Sequence, residues 1–149
     1  MALVACEDGS RPVRSPEPGA TAGKPATRPA AEPARPSGEL TEIRLETLFP
    51  RAQAGTALIF DARPAFVSSF GKIPGAIPWP KSDYDAHLAE REEQIRDAKD
   101  RGKIVVIYCT DAACPDARAV GEKLVARGHD IAILSGGFAL WKDTGLPTE

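Results

Sequence analysis

The apolar residues of this chain fall into short continuous runs separated by stretches of helical spacing. Three runs stand out: Ala57–Phe60, Ile104–Ile107 continuing through Tyr108 to Cys109, and Ile131–Leu134. An apolar run of four to six residues, bounded by turn residues and rich in β-branched side chains, predicts a strand buried on both faces. Thr41–Ile43 is a shorter strand candidate, and Ala76-Ile77 is an extended piece closed by Pro78-Trp79-Pro80. Between these runs the period changes. Leu45, Leu48, Phe49 and Ala52 recur at helical spacing, with Pro50 expected to limit or distort that helix and Gly55 to end it. Ala65–Phe70 predicts a short helix, and Gly71-Lys72-Ile73-Pro74-Gly75 a turn. A long polar helix runs from a cap at Ser82 or Asp83 to about Arg101. Its apolar marks are Tyr84, Leu88, Ile95 and Ala98, so it should lie on the outside. Ala117–Arg127 carries Val120, Leu124 and Val125 toward a sheet, and Phe138–Asp143 is a final short helix anchored by Phe138 and Trp141. Alternation of buried strand and helix predicts an α/β fold, a parallel sheet flanked by helices with right-handed crossovers.

The pattern begins only late in the chain. From Arg14 to Glu39 there is no Val, Ile, Leu, Met, Phe, Trp or Tyr, only Pro, Ala, Gly, Ser, Thr and scattered charge. Such a segment cannot bury enough apolar surface to offset its ordering entropy, so residues 1–39 predict a disordered Pro/Ala-rich tail and 40–149 the folded domain. The 149 residues carry a formal net charge of −2, which points to neither nucleic acid nor a membrane surface. No apolar run approaches the roughly 18 residues of a spanning helix. The cysteines are Cys6, Cys109 and Cys114, an odd number without a repeated CxxC, so neither a disulfide framework nor a zinc site is indicated. His87 and His129 sit in polar surroundings and read as solvated surface residues.

Near the start, Leu3-Val4-Ala5-Cys6 is similar to the lipobox at which bacterial lipoprotein signals are cut. A signal also needs a basic region and an apolar stretch of about 7–15 residues ahead of the cysteine. Two readings stay open: a lipid anchor at Cys6 on a domain in the cell envelope or periplasm, and a chance match on a cytoplasmic one.

The chemistry concentrates at Cys109, where the Ile104–Tyr108 run ends. Ligands of open parallel sheets bind at the carboxyl ends of the strands, so a thiol there can meet a substrate. The bland alternative is a buried cysteine packing as a small hydrophobe.

Four pieces, in order, decide between these. They are Asp61-Ala62-Arg63 after an early strand, Gly71-Lys72-Ile73-Pro74-Gly75-Ala76, Val106-Ile107-Tyr108-Cys109, and Gly136-Gly137 with Trp141 followed by Gly145-Leu146-Pro147. Together they resemble the rhodanese-like domains, over the whole of residues 40–149. The resemblance implies a three-layer sandwich and sulfurtransferase chemistry. The cysteine takes a sulfane sulfur from a small donor or a persulfidated protein, becomes a persulfide, and passes the sulfur to a thiol or cyanide-like acceptor. It implies Cys109 as nucleophile. The backbone of Thr110, Asp111, Ala112, Ala113 and Cys114 would form an anion cradle beside the helix start near Pro115–Ala117. No metal or organic cofactor is required. Asp61 and Arg63 read as supporting residues, more as a structural polar pair at the strand end than as pocket lining. Lys72 stands where the family usually has histidine.

The loop after Cys109 departs from the family pattern. It reads Cys109-Thr110-Asp111-Ala112-Ala113-Cys114-Pro115-Asp116-Ala117-Arg118. Arginine comes only at Arg118, inside the expected helix. Asp111 and Asp116 bring negative charge, which disfavours a nearby thiolate and repels anionic donors such as thiosulfate. A neutral or protein-bound persulfide is the better-matched donor. Phosphatases and arsenate reductases of related fold grip an oxyanion with an arginine six residues after the cysteine. Pro115 stands there in this chain. Cys114 leaves three functions in play: the sulfurtransferase, a non-catalytic rhodanese-like binding module, and a thiol redox unit in which Cys114 resolves Cys109 as a disulfide.

Overall fold

The computed structural model describes residues 38–149. The tail reading and the Cys6 reading fall on residues 1–37 and lie outside the described residues. Five strands form one parallel sheet: β1 (Leu40–Ile43), β2 (Ala57–Asp61), β3 (Ile77–Pro78), β4 (Ile104–Tyr108) and β5 (Ile131–Leu134). Their order is β1-β5-β4-β2-β3, all neighbours parallel, so the thiol-bearing run is the middle strand. β3 is two residues long and ends in Pro78, which suits an edge because proline has no N–H for a further neighbour. The helices are α1 (Leu45–Gln53), α2 (Ala65–Ser68), α3 (Tyr84–Asp100), α4 (Asp116–Val125) and α5 (Gly137–Asp143). Among the described residues no helix is long and apolar enough to cross a membrane.

The sheet is buried on both faces, as its unbroken apolar strands require. One core joins Phe60, Val105, Ile107 and Ile131 to Tyr84 and Ile95 of α3 and to Val120 and Leu124 of α4. The other joins Ile59, Val106, Tyr108 and Leu134 to Leu45 and Leu48 of α1 and Trp141 of α5. This is the three-layer α/β architecture expected.

Three local expectations change. α1 continues through Pro50, which faces solvent and costs the helix a single internal hydrogen bond. Neither Ser82 nor Asp83 caps α3 with its side chain; the Ser82 hydroxyl donates to the Asp83 carboxylate instead, and a 3-10 turn (Lys81–Asp83) leads into the helix. The charged surface of α3 is interrupted by Glu92, which is buried. Its carboxylate accepts from Arg127 Nη2 at 2.9 Å and lies 2.9 Å from His129 Nε2. His129 is therefore no free surface residue: with its side chain 12% exposed, it helps pin α3 to the turn between α4 and β5. The Arg127 hydrogen bond leads in holding the Glu92 carboxyl down at about 2, with His129 adding to it.

Candidate active site

Alternation along β4 decides where the thiol goes. Successive side chains of a strand point to opposite faces. Val105, Ile107 and Cys109 face α4, while Val106 and Tyr108 face α1 and α5. Cys109 follows the last residue of the strand, is 3% exposed, and points to the side where α4 begins.

The next residues form a tight loop held at both ends. The carbonyl of Cys109 accepts from the Phe138 N–H at 2.9 Å, and that of Thr110 from the Ala139 N–H at 2.8 Å. The first turn of α5 thus fixes the backbone at the nucleophile. That close approach requires glycine at position 137: a Cβ there would lie 2.6 Å from the Cys109 carbonyl oxygen and 2.9 Å from the Asp111 nitrogen, and φ is +58°. Further along, Asp111 folds the loop on itself. Its Oδ1 accepts the N–H of Ala113 at 2.9 Å and of Cys114 at 3.0 Å.

This changes the expected cradle. Of the five loop residues Thr110–Cys114, Ala113 and Cys114 have N–H groups that donate to Asp111 rather than toward sulfur. Asp111 itself has a role sequence reasoning did not give it. Its charge is spent on its own loop, so it opposes a thiolate less than a free carboxylate would.

Cys109 and Cys114 are joined as a disulfide, with Cα atoms 6.0 Å apart. A carboxylate oxygen of Asp116 lies within 4.8 Å of both sulfurs. Two thiolates and a carboxylate are a possible ligand set for a soft metal ion. Bonded to each other, the sulfurs are not available for it.

A pocket of about 150 Å³ opens beside the two sulfurs, walled by Asp111, Arg118, Glu42 and Ser135. Arg118, on α4, reaches its rim and is held by Glu42 at 3.3 Å. The Ser135 hydroxyl donates to the other Glu42 oxygen at 3.4 Å. Asp116 pairs with Lys81 at 3.5 Å. Two of the three carboxylates around the sulfur thus have a basic partner and the third is taken up by backbone N–H groups. The site is less repulsive to an anion than the loop sequence alone implies.

Glu42 and Ser135 were not legible as pocket residues. Glu42 occupies an exposed position on a strand, which reads as a solvated face, and nothing local says that β1 lies beside β5. The Ser135-Gly136-Gly137 turn was the available signal, because a glycine pair after a buried strand often marks a close backbone approach.

Asp61 and Arg63 do not line the pocket. Both are buried, Asp61 at 0% and Arg63 at 2% exposure. The guanidinium donates to Asp61 from Nε at 2.9 Å and from Nη2 at 2.7 Å, and from Nη2 to the Gly71 carbonyl at 2.7 Å. Ser68 Oγ adds a donor to Asp61 at 2.9 Å. The guanidinium carbon lies 4.1 Å from the Phe138 ring centroid. This cluster grips Tyr108 and Phe138, the residues on either side of the thiol's backbone contacts. Lys72 replaces the expected histidine with a different fastening: its backbone exchanges hydrogen bonds with Glu149, and its ammonium pairs with the Glu149 carboxylate at 2.8 Å.

Comparison with known proteins bears on the family and the fold. A family model described as "Rhodanese-like domain" matches residues 46–144. The HTH-type transcriptional regulator Rv0324 of Mycobacterium tuberculosis is 32% identical over 105 residues, covering 68% of this chain and 42% of that protein. The chain thus spans about two fifths of that relative's length. Among solved structures, a protein from Lactobacillus plantarum superposes with a TM-score of 0.60 at 26% identity, over 72% of this chain and 87% of its own. A rhodanese-related protein from Thermoplasma volcanium gives 0.58 at 23% identity, over 73% of this chain and 97% of its own.

Proposed function

We propose, from the premise that this chain belongs to the rhodanese-like domain family, that its reduced form is a sulfurtransferase using Cys109 as the sulfur carrier. The observation that carries the reading is the position of that thiol. It stands at the carboxyl end of the middle strand, at a small pocket and facing the start of α4.

The thiolate is the attacking species, and an ordinary cysteine thiol has a pKa of about 8.5. Cys109 faces the side of the sheet on which α4 begins, and the N-terminus of this helix of 10 residues carries partial positive charge, which favours the anion. Arg118 lines the same pocket, paired there with Glu42 at 3.3 Å. In the first half-reaction the Cys109 thiolate attacks the sulfane sulfur of a donor. A sulfur–sulfur bond forms at Cys109, and the donor leaves as its thiolate with the electron pair of the broken bond. In the second, an acceptor thiol or cyanide attacks the outer sulfur and Cys109 departs as thiolate. The pocket admits little more than the reacting end of a donor, which suits a small persulfide or the tip of a persulfidated protein segment. A phosphatase reading is disfavoured, since Pro115 stands at the sixth position after Cys109, where an oxyanion-gripping arginine is needed.

The test is turnover. The full chain carrying Cys114→Ser, so that no second loop thiol competes with the acceptor, is reduced, freed of reductant and supplied with glutathione persulfide as donor and cyanide as acceptor, and thiocyanate is measured. Thiocyanate formation above the uncatalysed rate, abolished when Cys109→Ser is added, supports the reading. Equal rates for the two proteins overturn it.

A further inference from the structure

We propose that Cys114 is a resolving thiol that turns the Cys109 persulfide into hydrosulfide and the Cys109–Cys114 disulfide, so that the site acts as a persulfide reductase. The proposal rests on the reading of Cys109 as sulfur carrier and specifies where the sulfur goes.

Three observations carry it. The two sulfurs already meet, with Cα atoms 6.0 Å apart, inside the usual span for a disulfide. The loop is built to hold them there. Asp111 receives the N–H of Cys114 on its side chain at 3.0 Å and on its own carbonyl at 3.3 Å, which turns Cys114 back over the strand end. The other side of the loop is fastened to α5 through the carbonyls of Cys109 and Thr110. Finally, Cys114 is half-buried in the wall of the same small pocket, nearer to Cys109 than an external acceptor can come without entering that pocket.

The step balances as follows. Cys109 carries Sγ–S⁻ after loading. The Cys114 thiolate attacks Cys109 Sγ, the inner sulfur. The bond between the two cysteine sulfurs forms, and the bond to the outer sulfur breaks. The outer sulfur leaves with the electron pair and takes up a proton, departing as hydrosulfide. The sulfane sulfur is reduced to sulfide, and the two cysteines are oxidised to the disulfide. A reduced dithiol, either a small dithiol or a protein bearing a vicinal pair, then attacks the disulfide, returns both cysteines to thiols and is itself oxidised.

The experiment is a single turnover of the full chain. Reduced wild-type protein without free reductant receives glutathione persulfide in less than stoichiometric amount. Hydrosulfide is measured, and the cysteine state is mapped by peptide mass spectrometry, which separates Cys6 from the other two. The expected result is about one hydrosulfide per persulfide consumed, with a matching amount of Cys109–Cys114 disulfide. Cys114→Ser should hold the persulfide on Cys109 and release hydrosulfide only when an external thiol is added. Wild-type protein that keeps a persulfide on Cys109 beside a free Cys114 thiol overturns the resolving role while leaving the sulfurtransferase intact. If neither protein consumes the persulfide, the carrier reading itself fails. The wild-type measurement decides the matter even if the variant does not fold.

Discussion

The hydroxyl of Tyr108 donates a 2.7 Å hydrogen bond to the carboxylate of Asp61, across the sheet from β4 to β2. The same hydroxyl accepts the Ile73 N–H at 3.2 Å. Tyr108 is the residue before the nucleophile and points to the opposite face, so this bond fixes the strand end that aims Cys109. Burial first, and then the Asp61 carboxylate, push the tyrosine hydroxyl well above its ordinary range, so it stays protonated and keeps donating. Tyr108→Phe should cost about 1–3 kcal/mol, because the buried Ile73 N–H loses its acceptor and Asp61 loses a donor. Urea denaturation measures it, and an unchanged midpoint would show that the bond contributes nothing.

Removing the cation of the same cluster should cost more. Arg63→Met leaves the Asp61 carboxylate buried without its ion pair, and breaking a buried pair from one side costs about 3–5 kcal/mol. Asp61→Asn with Arg63→Met together should recover part of that loss. A double-mutant cycle by chemical denaturation reads the coupling, and simple additivity would mean the pair is not coupled.

Glu92 sets an acid limit for the fold. Its folded value of about 2 lies below the ordinary 4.5, so the unfolded chain binds the proton more readily. The contribution of this group is present above about pH 4.5 and is lost as the pH falls from there toward 2. Glu92→Gln should be less stable than wild type at neutral pH, and the gap should narrow across that window. Denaturation midpoints at a series of pH values test it. A gap that stays constant with pH would assign the loss to packing instead.

Asp111 is expected to govern the disulfide. Asp111→Ala frees the N–H groups of Ala113 and Cys114 and should weaken the Cys109–Cys114 pairing roughly tenfold in a dithiol redox buffer, a loss comparable to that of a helix cap. Asp111→Asn keeps the accepting Oδ1 and should restore most of it. An equilibrium unaffected by Asp111→Ala would show that the loop folds without this turn.

The parallel α/β sheet and the middle position of the thiol were readable from the sequence because both follow from local patterns. Ile104–Tyr108 is an unbroken apolar run, and Asp61, Gly75, Cys109 and Gly136 come in a recognisable order. What was hidden depends on contacts between distant segments. Glu92 lies on a charged helix face, and only the approach of Arg127 and His129, 35 and 37 residues on, makes it a buried anion. Glu42 reads as solvated until β1 is set against β5. Asp111 reads in sequence as a charge opposing the thiolate, and only the folded loop shows its carboxylate accepting the N–H groups of Ala113 and Cys114. The pairing of Cys114 with Cys109 stayed open because sequence separation permits it without requiring it.

The most direct test of the central claim is the intact mass of the Cys114→Ser chain after exposure to glutathione persulfide. With the second thiol of the loop removed, the sulfur should stay where it is first taken up. The expected result is a single increment of about 32 Da, mapped to Cys109 and removed by an added thiol. An unmodified Cys109, while glutathione persulfide loads a sulfurtransferase control under the same conditions, would contradict a sulfur-carrying site at this position.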